Sequence, residues 1–152
     1  MIIKEGDFEN PLVKELLNIH LSGMHDSSPP ESVFALDYSE LQKTDIHFWT
    51  VWKKDTLLGC GALKKISHLQ CEIKSMRTHP SHLRKGVAAK VLEHILNFAK
   101  SQNYQRISLE TGSGESFEPA IALYKRYGFM NGDSFGAYEK SEFNQFLHLE
   151  IK

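Results

Sequence analysis

A short basic turn is the segment of this sequence whose residue types most directly suggest chemistry. The segment, called here the basic turn, comprises Arg84, Lys85, Gly86, Val87, Ala88 and Ala89. It lies between a predicted strand and a predicted helix, so the helix N-terminus would contribute unpaired amides and about half a positive charge. Small residues let those amides approach a ligand. The basic turn is therefore a candidate pyrophosphate site, with a plain strand-to-helix turn and solvated cations as an equal alternative on this evidence alone.

Other anion and metal motifs are weaker or missing. The sequence contains no GxxxxGK[ST] pattern, and Gly112-Ser113-Gly114 lacks the rest of a dinucleotide fingerprint. Among eight histidines, His79 and His82 are three residues apart but flank a proline loop, and neither HExxH nor a CxxC pair is present. We expect no metal site.

Hydrophobic periodicity predicts the elements that would position the basic turn. Asn10 and Pro11 are typical of a helix start, and period-3.6 apolar residues predict a second long helix from Val87 to Asn103. Further helices are expected around residues 31–43 and, capped by Ser116, over residues 117–127 before Gly128. The predicted strands cover residues 1–4, 47–52, 57–65, 71–78, 106–110 and 145–151. The order predicts an α/β fold, a mixed sheet with helices on its faces.

Composition limits the function classes. A chain of 152 residues and 17.4 kDa fits one domain, residues 1–152. A net charge of -1 argues against nucleic-acid binding. No apolar run reaches the roughly 18 residues of a membrane span, so we expect a cytoplasmic protein. Cys60 and Cys71 are expected to be buried thiols rather than a disulfide.

A second segment, together with the basic turn, indicates a family. Residues 83–88 read Leu-Arg-Lys-Gly-Val-Ala and residues 123–129 read Leu-Tyr-Lys-Arg-Tyr-Gly-Phe. This pair resembles the GNAT acetyltransferases, whose acyl-CoA turn has the form [QR]xxGx[GA] and whose later helix often ends LYxxxGF. Segments around Glu72 and Leu109 are similar to a subgroup of small bacterial members. Leu83 departs from the usual Gln or Arg, and Glu118 with Pro119 stands where many members have Asn, so two side-chain contacts to CoA are not expected here.

The resemblance implies a GNAT fold with a mostly antiparallel sheet, acetyl-CoA as co-substrate and direct transfer of acetyl to a primary amine of a small molecule or peptide. The basic turn would bind the pyrophosphate. The backbone of Met76, Arg77 and Thr78, splayed from the strand at residues 106–110, would bind the pantetheine arm and polarise the thioester. A homodimer is one candidate assembly.

Three residues are candidates for proton transfer by the same resemblance. Glu72 lies fourteen residues before Gly86, as the general base of some members does, and Glu110 on the adjacent strand is the rival. Glu72 could equally be a solvated carboxylate or the ion-pair partner of Lys74. Tyr124 matches the general acid of the family, with a packed core aromatic as the alternative.

Acceptor binding is expected on irregular segments. These are the loop containing His25, Asp26 and Glu31, and the late segment at residues 135–138. A non-catalytic acyl-CoA-binding regulatory module is the alternative function, since it would keep the basic turn and lack the chemistry.

Overall fold

A computed structural model describes residues 1–151, in which one mixed sheet forms the centre of the molecule. The strands are β1 (Ile2–Glu5), β2 (Ile46–Lys53), β3 (Thr56–Lys65), β4 (Gln70–Thr78), β5 (Arg106–Thr111), β6 (Met130–Asn131) and β7 (Gln145–Glu150). Their spatial order is β1-β2-β3-β4-β5-β7-β6. Every neighbouring pair is antiparallel except β4 and β5, which run parallel. The predicted mixed, mostly antiparallel sheet is confirmed.

Three α-helices cover the sheet: α1 (Pro11–Ser27), α2 (Val87–Ser101) and α3 (Glu118–Arg126). The start of α1 is as predicted, because the Asn10 side chain accepts a hydrogen bond from the Leu12 amide and Pro11 occupies the first turn. Gly128 follows α3 with φ 98°, the left-handed conformation expected there. Within residues 1–151, none of these helices combines the length and apolarity that a membrane crossing requires.

The predicted helix at residues 31–43 is wrong. Two short 3₁₀ turns, Pro30–Ser32 and Glu40–Gln42, stand in its place. Pro29 forces extended geometry before the first turn, and the Asp37 carboxylate accepts hydrogen bonds from the Glu40 amide at 2.8 Å and the Ser39 hydroxyl at 2.9 Å. Such local side-chain bonds compete with a continuous helix. Helix α3 likewise begins at Glu118 rather than under a Ser116 cap, since a 3₁₀ turn at Glu115–Phe117 precedes it.

The two faces of the sheet carry separate apolar cores. On one face, α2 packs through side chains such as Val91, Leu92 and Ile95 against Trp49, Ile73 and their neighbours. On the other, α1 packs through Val13, Leu16 and Leu17 against Phe48 and Trp52. Each fully buried residue of this kind contributes about 1.5–3 kcal/mol. Cys60 and Cys71 are both buried and free, as predicted.

A bulge in β4 changes which side chains share a face. Cys60 of β3 pairs with Arg77, whereas Ala62 pairs with Lys74, so β4 contains one extra residue at this point. Ser75 lies there with φ 55°. Arg77 therefore points to the α1 face with Glu72 and Lys74, while Met76 lies on the α2 face.

Strands β4 and β5 separate soon after they meet. They pair only at Gln70 with Arg106, Cys71 with Ile107 and Glu72 with Ser108. Beyond Glu72, the edge of β4 that faces β5 has no strand partner among residues 1–151. The predicted splay is thus present, and a cavity lies within it.

Candidate active site

The cavity between the splayed strands, called here the central cavity, has a volume of about 230 Å³. Its walls come from β4, β5, α1, α3 and the irregular segment that contains Phe34. It brings together Glu72, Glu110 and Tyr124, the three residues predicted for proton transfer. Met76 and Arg77 line it as well, but Thr78 does not.

The basic turn presents unpaired donors to solvent. Gly86 is the N-terminal cap residue of α2 with φ 82°, and no side chain caps this helix. The amides of the first helical turn, those of Val87, Ala88 and Ala89, have no partner within the helix. A Cβ at Gly86 would meet nothing within 4 Å, so the space in front of the turn is open. Exposed Arg84 and Lys85 add two cations beside these amides.

These features fit the pyrophosphate and pantetheine of an acyl-CoA. Uncapped amides at a helix N-terminus bind phosphate groups, and the unpaired edge of β4 offers N–H and C=O groups to an extended amide chain. A 3₁₀ turn at Pro80–His82 and then the basic turn connect β4 to α2. The two features are therefore close in the chain, as a ligand that contacts both would require.

Glu72 is buried and already bonded. Its Oε2 accepts a hydrogen bond from the Tyr138 hydroxyl and lies 3.4 Å from Lys74 Nζ. Lys74 Nζ also donates to the Tyr138 hydroxyl oxygen at 2.7 Å. Burial, followed by the charge and hydrogen bond of Glu72, raises the pKa of Tyr138 well above its usual range. The three side chains form a closed polar cluster.

Glu110 has a different environment. Burial raises its pKa to about 7, the nearby Glu72 charge adds to that rise, and Lys74 opposes it. Among residues 1–151, no group donates a hydrogen bond to its carboxylate. Glu110 thus combines access to the central cavity with a pKa near neutrality, which suits a general base.

Tyr124 lines the cavity from α3. Its ring is 5% exposed and packs edge-on against Phe129, with 5.6 Å between ring centroids. Burial raises the pKa of its hydroxyl above the usual value, so the group stays protonated at neutral pH. Both the packing role and the acid role considered from the sequence are compatible with this position.

Arg77 is held by α1 rather than by an acidic residue. Its Nε donates to His20 Nδ1 at 3.0 Å, and its Nη2 lies 3.5 Å from the His20 carbonyl oxygen. Burial and the charge of Arg77 lower the pKa of His20 to about 3, so its imidazole is neutral.

The residues predicted to bind the acceptor lie elsewhere. His25 is exposed in the last turn of α1, and Glu31 is exposed in the 3₁₀ turn at Pro30–Ser32. Neither lines the central cavity, although their neighbours Met24 and Ser27 do. No residue of the late segment at 135–138 lines the cavity either, but Tyr138 is hydrogen-bonded to Glu72 and Lys74, which do.

Sequence reasoning missed His20 and Ser75, and assigned Arg77 a backbone role only. His20 continues the spacing of Val13, Leu16 and Leu17 on the inner face of α1. A polar residue within this apolar stripe is the sequence feature that could have indicated a functional role. Strict alternation along β4 would place Arg77 opposite Glu72 and Lys74, and nothing in the residue types reveals the bulge that reverses this.

Comparisons with known proteins agree with this geometry. Residues 13–129 match the model of the Acetyltransferase (GNAT) family. The chain is 48% identical over 151 residues to an uncharacterized N-acetyltransferase, YsnE, of Bacillus subtilis strain 168, covering 99% of this chain and 100% of that protein.

Solved structures share the fold. A crystal structure of an acyl-CoA N-acyltransferase from Klebsiella pneumoniae superposes with a TM-score of 0.82 at 21% identity, covering 99% of this chain and 97% of that one. An aminoglycoside 6'-N-acetyltransferase complexed with coenzyme A superposes with a TM-score of 0.76 at 14% identity, covering 100% and 98%. Sequence and fold lead to one assignment: this chain is a member of the GNAT family of acetyltransferases.

Proposed function

We propose that this acetyltransferase takes its acetyl group from acetyl-CoA and transfers it by direct attack to a primary amine of a small molecule or peptide. The observation that carries the proposal is the splay between β4 and β5, which opens into a cavity containing Glu110 and Tyr124. The uncapped N-terminus of α2, which follows β4 in the chain, is the second feature that supports it. A thioester seated along β4 would present its carbonyl carbon to this cavity. The aminoglycoside acetyltransferase bound to coenzyme A supports the choice of donor.

Direct attack is supported by the state of the two cysteines and of Ser108. Burial raises the pKa of Cys60 and of Cys71 to about 12 each, so neither is a thiolate at neutral pH. Ser108 is fully buried, and its hydroxyl is engaged with His148 Nδ1 at 2.7 Å and with Gln70. The amine itself is then the group that adds to the thioester carbon.

Glu110 is the base in this proposal. An attacking amine must lose a proton as the C–N bond forms, and the carboxylate of Glu110, with its pKa near 7, can accept it directly or through a water. Glu72 is less suited, because Tyr138 and Lys74 already occupy its Oε2. Its part is to hold Lys74 and Tyr138 in place beside the cavity.

Tyr124 is the proposed acid. Breakdown of the tetrahedral adduct breaks the C–S bond and expels a thiolate whose conjugate acid resembles a cysteine thiol, with a pKa of about 8.5. Tyr124 lines the same cavity and its hydroxyl is protonated, so in this proposal it supplies the proton that forms the CoA thiol. The unpaired β4 backbone beside the cavity offers an N–H to the developing oxyanion.

The test is thiol release from acetyl-CoA in the presence of amines, amino acids and peptides, beside calorimetric titration with CoA. We expect CoA to bind and thiol release to depend on an amine. Binding of CoA without amine-dependent release would indicate the non-catalytic module, and absence of CoA binding would overturn the proposal altogether.

A further inference from the structure

The central cavity contains a cation without an acidic partner. Arg77 lines this cavity, yet none of the salt bridges among residues 1–151 involves it. Its Nε and Nη2 are directed to His20, and its Nη1 has no hydrogen-bond acceptor within the described chain. A half-buried guanidinium normally pairs with a carboxylate or phosphate, since leaving it unpaired costs solvation energy.

His20 fixes the guanidinium without neutralising it. Because Nδ1 accepts the hydrogen bond from Arg77, the proton of the neutral imidazole is on Nε2. His20 also lines the cavity, which makes this Nε2–H a candidate second donor beside Arg77. Gly23 on the next turn of α1 leaves room for the guanidinium, as a Cβ there would lie 3.1 Å from Nη2. The charge is held in place and stays positive.

Apart from Arg77, the cavity is lined by three charged side chains, two of which form an ion pair with each other. Glu72 and Lys74 lie 3.4 Å apart and compensate each other. Glu110 is then the remaining acidic group, and Arg77 the remaining basic group, among the residues that line the cavity. A ligand that carries both an ammonium and a carboxylate would complement the pair.

Size and lining restrict the ligand further. A volume of about 230 Å³ is below the roughly 300–1,000 Å³ of pockets for drug-sized ligands. Met24, Phe34 and Phe117 supply apolar walls between the charged groups. A small molecule with a modest apolar side chain fits this description.

From these observations we infer that the acceptor is a free α-amino acid, or a similarly small amine with a nearby carboxylate, whose carboxylate binds Arg77 and His20 Nε2–H while its amine faces Glu110. The inference rests on the proposed amine acetylation and narrows it. It assigns to Arg77 a role in acceptor specificity, and it places peptide N-termini among poor substrates because their nearest carboxylate is converted to an amide.

The experiment compares each N-acetylated product with its uncharged analogue. Calorimetry measures the binding of N-acetyl-L-leucine, N-acetyl-L-methionine and N-acetyl-L-phenylalanine, and of the corresponding primary amides, with and without CoA. We expect at least one acid to bind at least tenfold more tightly than its amide. Arg77→Gln should abolish that preference while changing amide affinity less than threefold, and Arg77→Lys should restore part of it.

Arg106→Gln is the matched control, since Arg106 is an exposed arginine paired with Glu150 outside the cavity. It should leave the acid preference intact. The inference is overturned if acids and amides bind equally to the unaltered protein, if none of the six compounds binds, or if Arg77→Gln keeps the preference. If Arg77→Gln does not fold, the comparison in the unaltered protein and in Arg77→Lys decides.

The result is separable from the proposed function. Equal acetylation of leucine, leucinamide and 3-methylbutylamine, followed as thiol release, would leave the acetyltransferase proposal standing and remove the carboxylate site. Failure to bind CoA or release thiol would remove the acetyltransferase proposal, whereas the acid preference would still show the anion site.

Discussion

At the scale of single residues, the two carboxylates of the central cavity differ through their neighbours rather than through their positions on the sheet. Glu72 is bonded to Tyr138 and close to Lys74, whereas Glu110 is desolvated and has no donor within residues 1–151. The sequence placed both on adjacent strands and favoured Glu72 from spacing. It did not show that Tyr138, sixty-six residues away in the chain, bonds to Glu72.

Glu110→Gln should lower kcat/KM about 100-fold at pH 8, the lower end of the usual contribution of a general base. Because the pKa of Glu110 is raised to about 7, most Glu110 side chains are protonated at pH 6, where the loss should shrink to about one-tenth of that at pH 8. Thiol release measured from pH 6 to 9 in both proteins gives this ratio.

Glu72→Gln is the control for that profile. It removes a charge that, after desolvation, helps to raise the pKa of Glu110, so the variant should retain most activity with its profile displaced to lower pH. If Glu72→Gln abolishes activity and Glu110→Gln does not, Glu72 is the base.

The raised pKa of Glu110 should also appear in the pH dependence of the protein's thermal stability. The pKa of Glu110 is about 7 in the folded protein and about 4.3 when unfolded, so ionisation of this group destabilises the fold. The penalty is absent below about pH 4, grows as pH rises, and is complete above about pH 7. Glu110→Gln should therefore raise Tm at pH 8 and leave it unchanged at pH 4. Equal Tm values for the two proteins across this range would show that Glu110 has an ordinary pKa.

Tyr124→Phe should lower kcat by about 100-fold or less, because a thiolate is a tolerable leaving group. Removing one hydroxyl keeps the ring that packs on Phe129, so the affinity for CoA and Tm should change little. The kcat, the affinity for CoA and Tm are measured for both proteins. Full activity would exclude the acid role, and a large fall in Tm would indicate a packing role instead.

At the scale of elements, periodicity predicted the long helices and the strands better than the irregular parts, whereas the splay of β4 from β5 was expected from the family resemblance. Residues 87–101 repeat apolar side chains every three to four positions and form α2, which ends two residues earlier than the predicted Asn103. The segment at residues 31–43 was expected to be one helix, but it contains two 3₁₀ turns, and the hydrogen bonds of the Asp37 carboxylate fix the start of the second. Local side-chain bonds and the β4 bulge depend on three-dimensional context, which explains why these features could not be predicted.

Gly86→Asp should reduce CoA affinity at least tenfold, or about 1.4 kcal/mol. The new carboxylate would face the space that the phosphates need, and Gly86 has φ 82°, which disfavours side chains. Gly6→Asp is the matched control, since Gly6 has φ 76° and equally open surroundings away from the cavity. Calorimetric titration should show loss of affinity for the Gly86 variant alone. Equal affinities in two folded variants would remove the basic turn from the donor site.

At the scale of the whole molecule, the sheet would separate the proposed donor side from the proposed acceptor side. The basic turn and α2 lie on one face with Met76 and Tyr124, while α1 covers the other face with Glu72, Lys74 and Arg77. The gap where β4 separates from β5 connects the two faces of the sheet. Family and fold could be recognised from two short motifs and the element order, whereas the acceptor side could not, because its residues come from α1, β4, β5 and the late segment together.

Transfer of a labelled acetyl group tests the central claim most directly. The protein is incubated with acetyl-CoA labelled with ¹³C in the acetyl group and with a mixture of amino acids, and mass spectrometry follows the amines, free CoA and the protein itself. We predict that a labelled N-acetyl product and free CoA appear in equal amounts, with no label on the protein. Release of CoA without a labelled amine, or label retained on the protein, would contradict direct transfer to an amine.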